Sequence, residues 1–383
     1  MEAEPLTFVA KAPAISAVRP EVGAVSSCCA TADQPAAELA PNLLGAALTI
    51  LVPAYNEEAS LADTVRSIKE QTHEVYEVIV IDDCSTDNTA AVAQSLGVTV
   101  LRPPKNTGSK AGAQNYGLRH VKTELCMAID ADTVLAPDAI EKLLAAMEHE
   151  NVVAACGFVL PRYVRTIWER GRYVEYLFAF TFFKRIQNYY GKPLIASGCF
   201  SAYRTDVLQK LGGWPQRTLA EDMDLTWSFY EAGHDVVFVP EAICYPIEPH
   251  NYHFMSCQLK RWSHGFLQNV KVHFRGMLSV PFLRKAVFVT LWDGVVASLV
   301  YLTLIPLLAI LISPFFLLGY VIDLPAVAVP VLAAAIPRKE TGRALLSLLC
   351  FPVLRIVNGW FMVKAVWMEF ILRRSFTTYV KGH

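Results

Sequence analysis

Charge is scarce in this 383-residue chain: 18% of its residues are Asp, Glu, Lys or Arg, against 54% apolar. That balance is too apolar for an ordinary soluble domain, so part of the chain is expected in lipid. The net charge of -1 leaves no global basic field, which removes the usual basis for nucleic-acid binding. Nine cysteines are scattered without a C-x-x-C pair or other metal-ligand spacing. Reduced, mostly buried thiols and a cytosolic catalytic domain are the expectation. A positively charged leader with an apolar run behind it is lacking as well, since Glu2 and Glu4 stand at the start. Translocation of the amino-terminal part is not expected.

Acid is also missing from a long stretch further on. Between Glu248 and Asp293 no Asp or Glu occurs, yet Lys260, Arg261, Lys271, Arg275, Arg284 and Lys285 do. The positive-inside rule assigns such a segment to the cytoplasmic side. From Ala286 to Val321 the only charge is Asp293. As helix this would reach roughly 54 Å, well beyond one hydrocarbon core of about 30 Å. With Leu324 to Ile336 added there is material for two spans, turning at Ser313 and Pro314 and returning to Arg338, Lys339 and Arg343. A third apolar stretch, Ala344 to Leu372, carries Arg355, Lys364 and Glu369. An interfacial helix would keep Arg373 and Arg374 inside, whereas a channel-lining span would explain Arg355.

Met1 to about Leu44 shows neither helical nor strand periodicity and reads as a flexible tail. After it, Leu48 to Ala54, Val78 to Ile81, Val98 to Leu101 and Leu125 to Ile129 read as buried strands. Glu57 to Gln71, Thr86 to Leu96, Ser109 to Val121 and Pro137 to Glu148 read as helices between them. This βα alternation predicts a parallel sheet covered by helices.

In open α/β sheets, ligands bind beyond the carboxyl ends of the strands, and the polar residues here gather at those ends. Strand one runs into Pro53, Tyr55, Asn56 and Glu57; strand two ends at Asp82 and Asp83; strand four ends at Asp130-Ala131-Asp132. Two carboxylates at the end of so apolar a strand are costly unless a cation sits between them. A hard divalent ion held by one or two carboxylates and substrate phosphates meets that need. The loop Asn106 to Asn115, with Gly108 and Lys110, opens a helix and suits either a diphosphate or an ordinary capped helix.

Further on come Ala220-Glu221-Asp222-Met223-Asp224 and Gln258-Leu259-Lys260-Arg261-Trp262. The ordered set of paired Asp, D-x-D, E-D and Q-x-x-R-W resembles family 2 glycosyltransferases of the inverting GT-A fold. More narrowly it resembles the cellulose, chitin, hyaluronan and poly-N-acetylglucosamine synthase group. The likeness covers roughly Thr49 to Trp262 and implies an α/β, Rossmann-like, mostly parallel sheet with helices on both faces. Carboxy-terminal transmembrane helices would follow.

The same resemblance implies residue roles. Pro53, Tyr55, Glu57 and Asp83 would hold the nucleotide, with Lys110 nearby. Asp130 and Asp132 would face the diphosphate and a Mg²⁺ or Mn²⁺ ion, Asp132 as the direct ligand. Asp222 would be the general base, Gln258 and Arg261 a diphosphate clamp, and Ser197, Gly198, Cys199 and Trp262 the acceptor pocket. Trp262 also suits a membrane-interface anchor.

The expected layout is a tail at 1–45, a catalytic domain at 46–257, a basic interfacial segment at 258–285 and a transmembrane hairpin at 286–337. A third membrane or interfacial helix with the terminus would occupy 338–383. Expected partners are a UDP-sugar donor, a polysaccharide or lipid acceptor and the membrane. Relatives carry membrane helices ahead of the catalytic domain and this chain shows none there, so a complete channel would call for an oligomer or accessory subunit. Three functions compete: a β-linked polysaccharide synthase, a single-addition enzyme on a ceramide-like lipid, and a non-catalytic nucleotide-binding scaffold.

Overall fold

Eight strands build one sheet in the order β3-β2-β1-β4-β7-β6-β8-β5 in the computed structural model, which describes residues 45–183, 187 and 192–376. The expected tail therefore lies outside the described residues but for Gly45. In chain order the elements begin β1 (Leu48–Ala54), α1 (Leu61–Lys69), β2 (Glu77–Asp82), α2 (Thr89–Ser95), β3 (Thr99–Leu101) and α3 (Lys110–Leu118). They continue with β4 (Leu125–Ile129), β5 (Thr133–Leu135), α4 (Ala139–Ala145), β6 (Val152–Val159) and α5 (Ile167–Phe178). β7 (Phe200–Arg204), α6 (Thr205–Lys210), α7 (Glu221–Glu231) and β8 (Asp235–Pro246) complete the sheet half.

β1, β2, β3 and β4 are mutually parallel where they pair, as the βα alternation predicts. Their unbroken apolar runs are buried on both faces, Leu48, Ile50, Leu51 and Val52 being wholly inaccessible. Beyond β4 the sheet turns mixed. β7 runs antiparallel to both β4 and β6, while β6 pairs parallel with β8.

Helix α8 (Tyr252–Val272) leaves the sheet, capped by Asn251, whose side chain accepts from Phe254 N. The Q-x-x-R-W motif lies inside this one helix, so the expected boundary at 258 falls within it. A short α9 (Phe274–Ser279) leads to two helices long and apolar enough to cross a membrane, α10 (Pro281–Leu311) and α11 (Pro314–Ala335). Ser313 caps the turn between them, at the position expected. Ile310, Phe315 and Ile322 stand exposed on their surface, as lipid-facing side chains would. The third apolar stretch is a bent pair, α12 (Thr341–Leu348) and α13 (Phe351–Ile371), meeting at 54°.

Two of the charges in that stretch, Glu369 and Arg355, have partners. Leu354 packs with Met255 and Leu259, and fifteen residues later Glu369 meets His264, Gln268 and Lys271, so α13 follows α8 in the same direction. Arg355 pairs with Asp293 at 3.0 Å and with Asp323 at 2.9 Å, joining the three apolar stretches through one guanidinium. The loop after α11 turns back onto the sheet half. Tyr173 donates to Glu340 at 2.8 Å, and Arg338 lies over the Phe158 ring.

Candidate active site

The carboxyl ends of β1, β2 and β4 open on one cavity of about 1100 Å³. At one end, Pro53 and Tyr55 line the wall beside Asp83, and Tyr55 is exposed at the rim. The Asp83 carboxylate accepts from Thr107 N and Thr107 Oγ1, both at 2.8 Å, which ties strand β2 to the loop before α3. That loop is a capped helix start: Ser109 Oγ accepts from Gly112 N at 3.1 Å. Glu57 does not reach the cavity wall; it is buried and accepts from Ser60 Oγ at 2.6 Å in its own turn.

The D-x-D segment is held by its backbone. Asp130 N donates to Cys199 O, Ala131 O accepts from Thr64 Oγ1, and Asp132 O accepts from Ile247 N. Its two side chains are thereby directed into the cavity. Lys110 pairs with Asp130, donates to Gly198 O at 2.9 Å and lies 4.0 Å from Glu221. One ammonium therefore connects the D-x-D, the Ser197-Gly198-Cys199 turn and the E-D motif.

Asp222 stands at the start of α7 with Oδ2 accepting from Gly198 N at 3.0 Å and Oδ1 accepting from Met223 N at 2.8 Å. A Cβ on Gly198 would sit 3.2 Å from Asp222 Cβ and 3.3 Å from Lys110 Nζ, so a side chain there would crowd both residues. Helix α8 is brought equally near. A Cβ at Gly265 would meet Ala220 Cβ at 2.7 Å and Ala220 N at 2.8 Å. This contact carries Gln258, Arg261 and Trp262 to the cavity beside Asp222.

Burial first, then the charges of Asp130 and Glu248, push the Asp132 carboxyl up to about 7, with Lys110 pulling the other way. Burial likewise raises Glu221 and Glu248, opposed by Lys110 in one case and Arg172 in the other. The site thus concentrates carboxylates that repel one another and favour a cationic guest. Among the described residues no group of three or more His, Cys, Asp or Glu side chains could hold a metal by itself.

Two participants were not anticipated from sequence. Glu248 is buried beside Asp132, accepts from Tyr176 Oη at 2.8 Å and faces Arg172 Nε at 3.5 Å. Arg172, fully buried in α5, pairs with Glu175, donates to Gln258 Oε1 at 2.6 Å and lies over the Trp262 ring. Only a capping box, Thr166 with Glu169, marks the start of the helix that carries Arg172. Asp224, third acid of the A-E-D-M-D run, turns away: it accepts from His273 Nε2 at 3.0 Å and pairs with Arg217 at 2.8 Å.

An α/β sheet with carboxylates at its strand ends, a D-x-D and an E-D on one cavity define a glycosyltransferase of the GT-A fold. Residues 49–212 match the sequence profile of Glycosyl transferase family 2, so this part of the chain is similar to that family. It is similar to the poly-beta-1,6-N-acetyl-D-glucosamine synthase of Staphylococcus aureus strain COL, 26% identical over 223 residues. That alignment covers 57% of this chain and 54% of the relative. The synthase of the same name from Staphylococcus epidermidis matches at 26% over 223 residues, with the same coverage. The chain thus spans about half the length of these curated relatives. Among solved structures, a mannosyltransferase from Pyrobaculum calidifontis in complex with GDP-Man and Mn²⁺ superposes with a TM-score of 0.58 at 20% identity. It covers 88% of this chain and 91% of its own, a likeness of fold.

Proposed function

We propose that the enzyme is a membrane-bound inverting glycosyltransferase that moves a sugar from a UDP-sugar to a growing β-linked polysaccharide of N-acetylglucosamine type. The observation that carries this reading is the convergence of Asp130 and Asp132 with Asp222 on one cavity, where Lys110 lies between Asp130 and Glu221. The likeness to two poly-N-acetylglucosamine synthases supports the choice of polymer.

Asp83 and Tyr55 bind the nucleotide, and Lys110 and Arg261 draw its diphosphate toward the D-x-D. The oxygen-only donor set of Asp130 and Asp132 fits Mg²⁺ or Mn²⁺, which would neutralise charge on the departing nucleoside diphosphate. Asp222 takes the acceptor hydroxyl proton as that oxygen attacks the anomeric carbon from the face opposite the leaving group. Each Asp222 oxygen receives a single backbone N–H, which leaves lone pairs for that proton. Trp262 offers its ring to the acceptor sugar.

A lipid acceptor is the second reading, favoured by one observation. The cavity continues between α10 and α13 past Thr290, Ser298 and Tyr301, a path open to an acceptor carried in the bilayer. Membranes containing the protein should be incubated with labelled UDP-N-acetylglucosamine and the product sized. A high-mass labelled polymer is expected. One sugar on an extractable lipid, at every donor concentration, replaces the polysaccharide with the lipid product.

A further inference from the structure

We infer that Arg172 is a positioning residue that couples the diphosphate side of the site to the acceptor side, by holding Gln258 and Trp262 in one arrangement. The inference rests on the roles proposed above for those two residues. It starts from an unusual placement, because a guanidinium buried with 0% side-chain exposure is costly unless opposite charge and hydrogen bonds surround it. Compensation comes from both sides of the site. Glu175 and Glu248 supply the negative charge, at a close pair and at 3.5 Å. The remaining donors are turned onto α8: Nη2 donates to Gln258 Oε1 at 2.6 Å and approaches Met255 Sδ at 3.1 Å.

The same guanidinium lies 4.6 Å from the Trp262 ring centroid, over its face. Cation and ring attract through the ring quadrupole, more strongly where water is excluded. One face of Trp262 is therefore occupied from within the protein, and an acceptor sugar has the other face. Gln258 and Trp262 are one helical turn apart on α8, so a planar fork reaching both fixes the pitch of the motif. Lysine cannot do this, since a point charge able to answer Glu175 and Glu248 does not also span an amide and an aromatic face.

The test compares wild type, Arg172→Lys, Trp262→Phe and the double variant, each purified with the full chain in detergent. Donor hydrolysis without acceptor and sugar transfer are measured separately, with UDP-N-acetylglucosamine as donor. Arg172→Lys should lower transfer about tenfold, the scale of a lost desolvated cation–π contact, and donor hydrolysis by less, since Arg261 and Lys110 still face the diphosphate. The acceptor KM should carry more of that loss than the donor KM. The double variant should lose less than the product of the two single losses, because both changes act on the contact between guanidinium and ring. Additive losses, or an unchanged ratio of hydrolysis to transfer in a folded Arg172→Lys protein, overturn the inference.

A readout free of turnover separates this from failure of the proposed reaction. With 5-fluorotryptophan incorporated, the resonance missing in Trp262→Phe is that of Trp262, and it should shift in Arg172→Lys. If wild type turns over no UDP-sugar but the resonance shifts, the coupling stands and the reaction assignment falls. A resonance that does not move overturns the coupling.

Discussion

Lys110 forms an ion pair with Asp130, joining the first residue of helix α3 to the first acid of the D-x-D at the end of strand β4. Without it, Asp130, Asp132, Glu221 and Asp222 would face one another across the crevice with less compensation. Lys110→Met should fold but lower turnover about 10²-fold, the scale of one lost electrostatic contact in a water-poor site. Steady-state kinetics with circular dichroism of the same preparation checks both halves of the statement.

Asp132→Asn removes the charge that burial and its neighbours already oppose, so the protein should be at least as stable as wild type. Turnover dependent on Mg²⁺ or Mn²⁺ should nevertheless fall about 10²- to 10³-fold. Full activity in this variant, or in wild type with excess chelator, would remove the metal from the reaction.

Asp222→Asn keeps the shape of the side chain and one of its two backbone contacts, at Gly198 N or Met223 N. Loss of a general base costs about 10²- to 10⁴-fold in kcat. Because the interaction is made mainly in the transition state, kcat and kcat/KM should fall together. UDP binding by calorimetry should be unchanged.

His273 supplies a pH dependence. Burial lowers its pKa, but hydrogen bonds with Asp224 and Glu231 outweigh this and leave it above the ordinary 6.5. A folded value above the unfolded one stabilises fully below pH 6.5 and is lost as pH rises through the folded value. The thermal midpoint in detergent should therefore decline above pH 6.5, and less so in His273→Gln. Asp224 acts at the other end: its hydrogen bonds from His273 and Arg217 outweigh burial and hold it below 3.8, so its contribution is lost in acid.

Topology is testable through the loop after α11. Tyr173 donates to Glu340 and Arg338 covers Phe158, so that loop and the sheet half share one side of any membrane. Cysteines placed by Lys339→Cys and Glu241→Cys, in a background without native thiols, should both be shielded from an impermeant reagent in intact cells. Labelling of either from outside would overturn the cytoplasmic placement of the catalytic domain.

Strands β1 and β4 were legible to the residue, since a continuous apolar run ending in polar residues admits few other readings. Helix α3 was legible through its cap, and the turn at Ser313 through its proline. The mixed half of the sheet was not, because β5 to β8 pair across long separations that leave no local pattern. The same holds within the site. Arg172 and Gln258 are 86 residues apart, and nothing around Arg172 marks it as buried. Asp323 escaped for a similar reason, as its partner Arg355 lies on a different helix.

The cavity of about 1100 Å³ is larger than a nucleotide needs, and it joins the strand ends to the space between α10 and α13. For inhibitor design, this continuity allows a single two-ended compound. A uridine head seated near Asp83 and an apolar tail threaded toward Tyr301 would occupy donor and acceptor space together, gaining the effective-concentration advantage of tethered ligands.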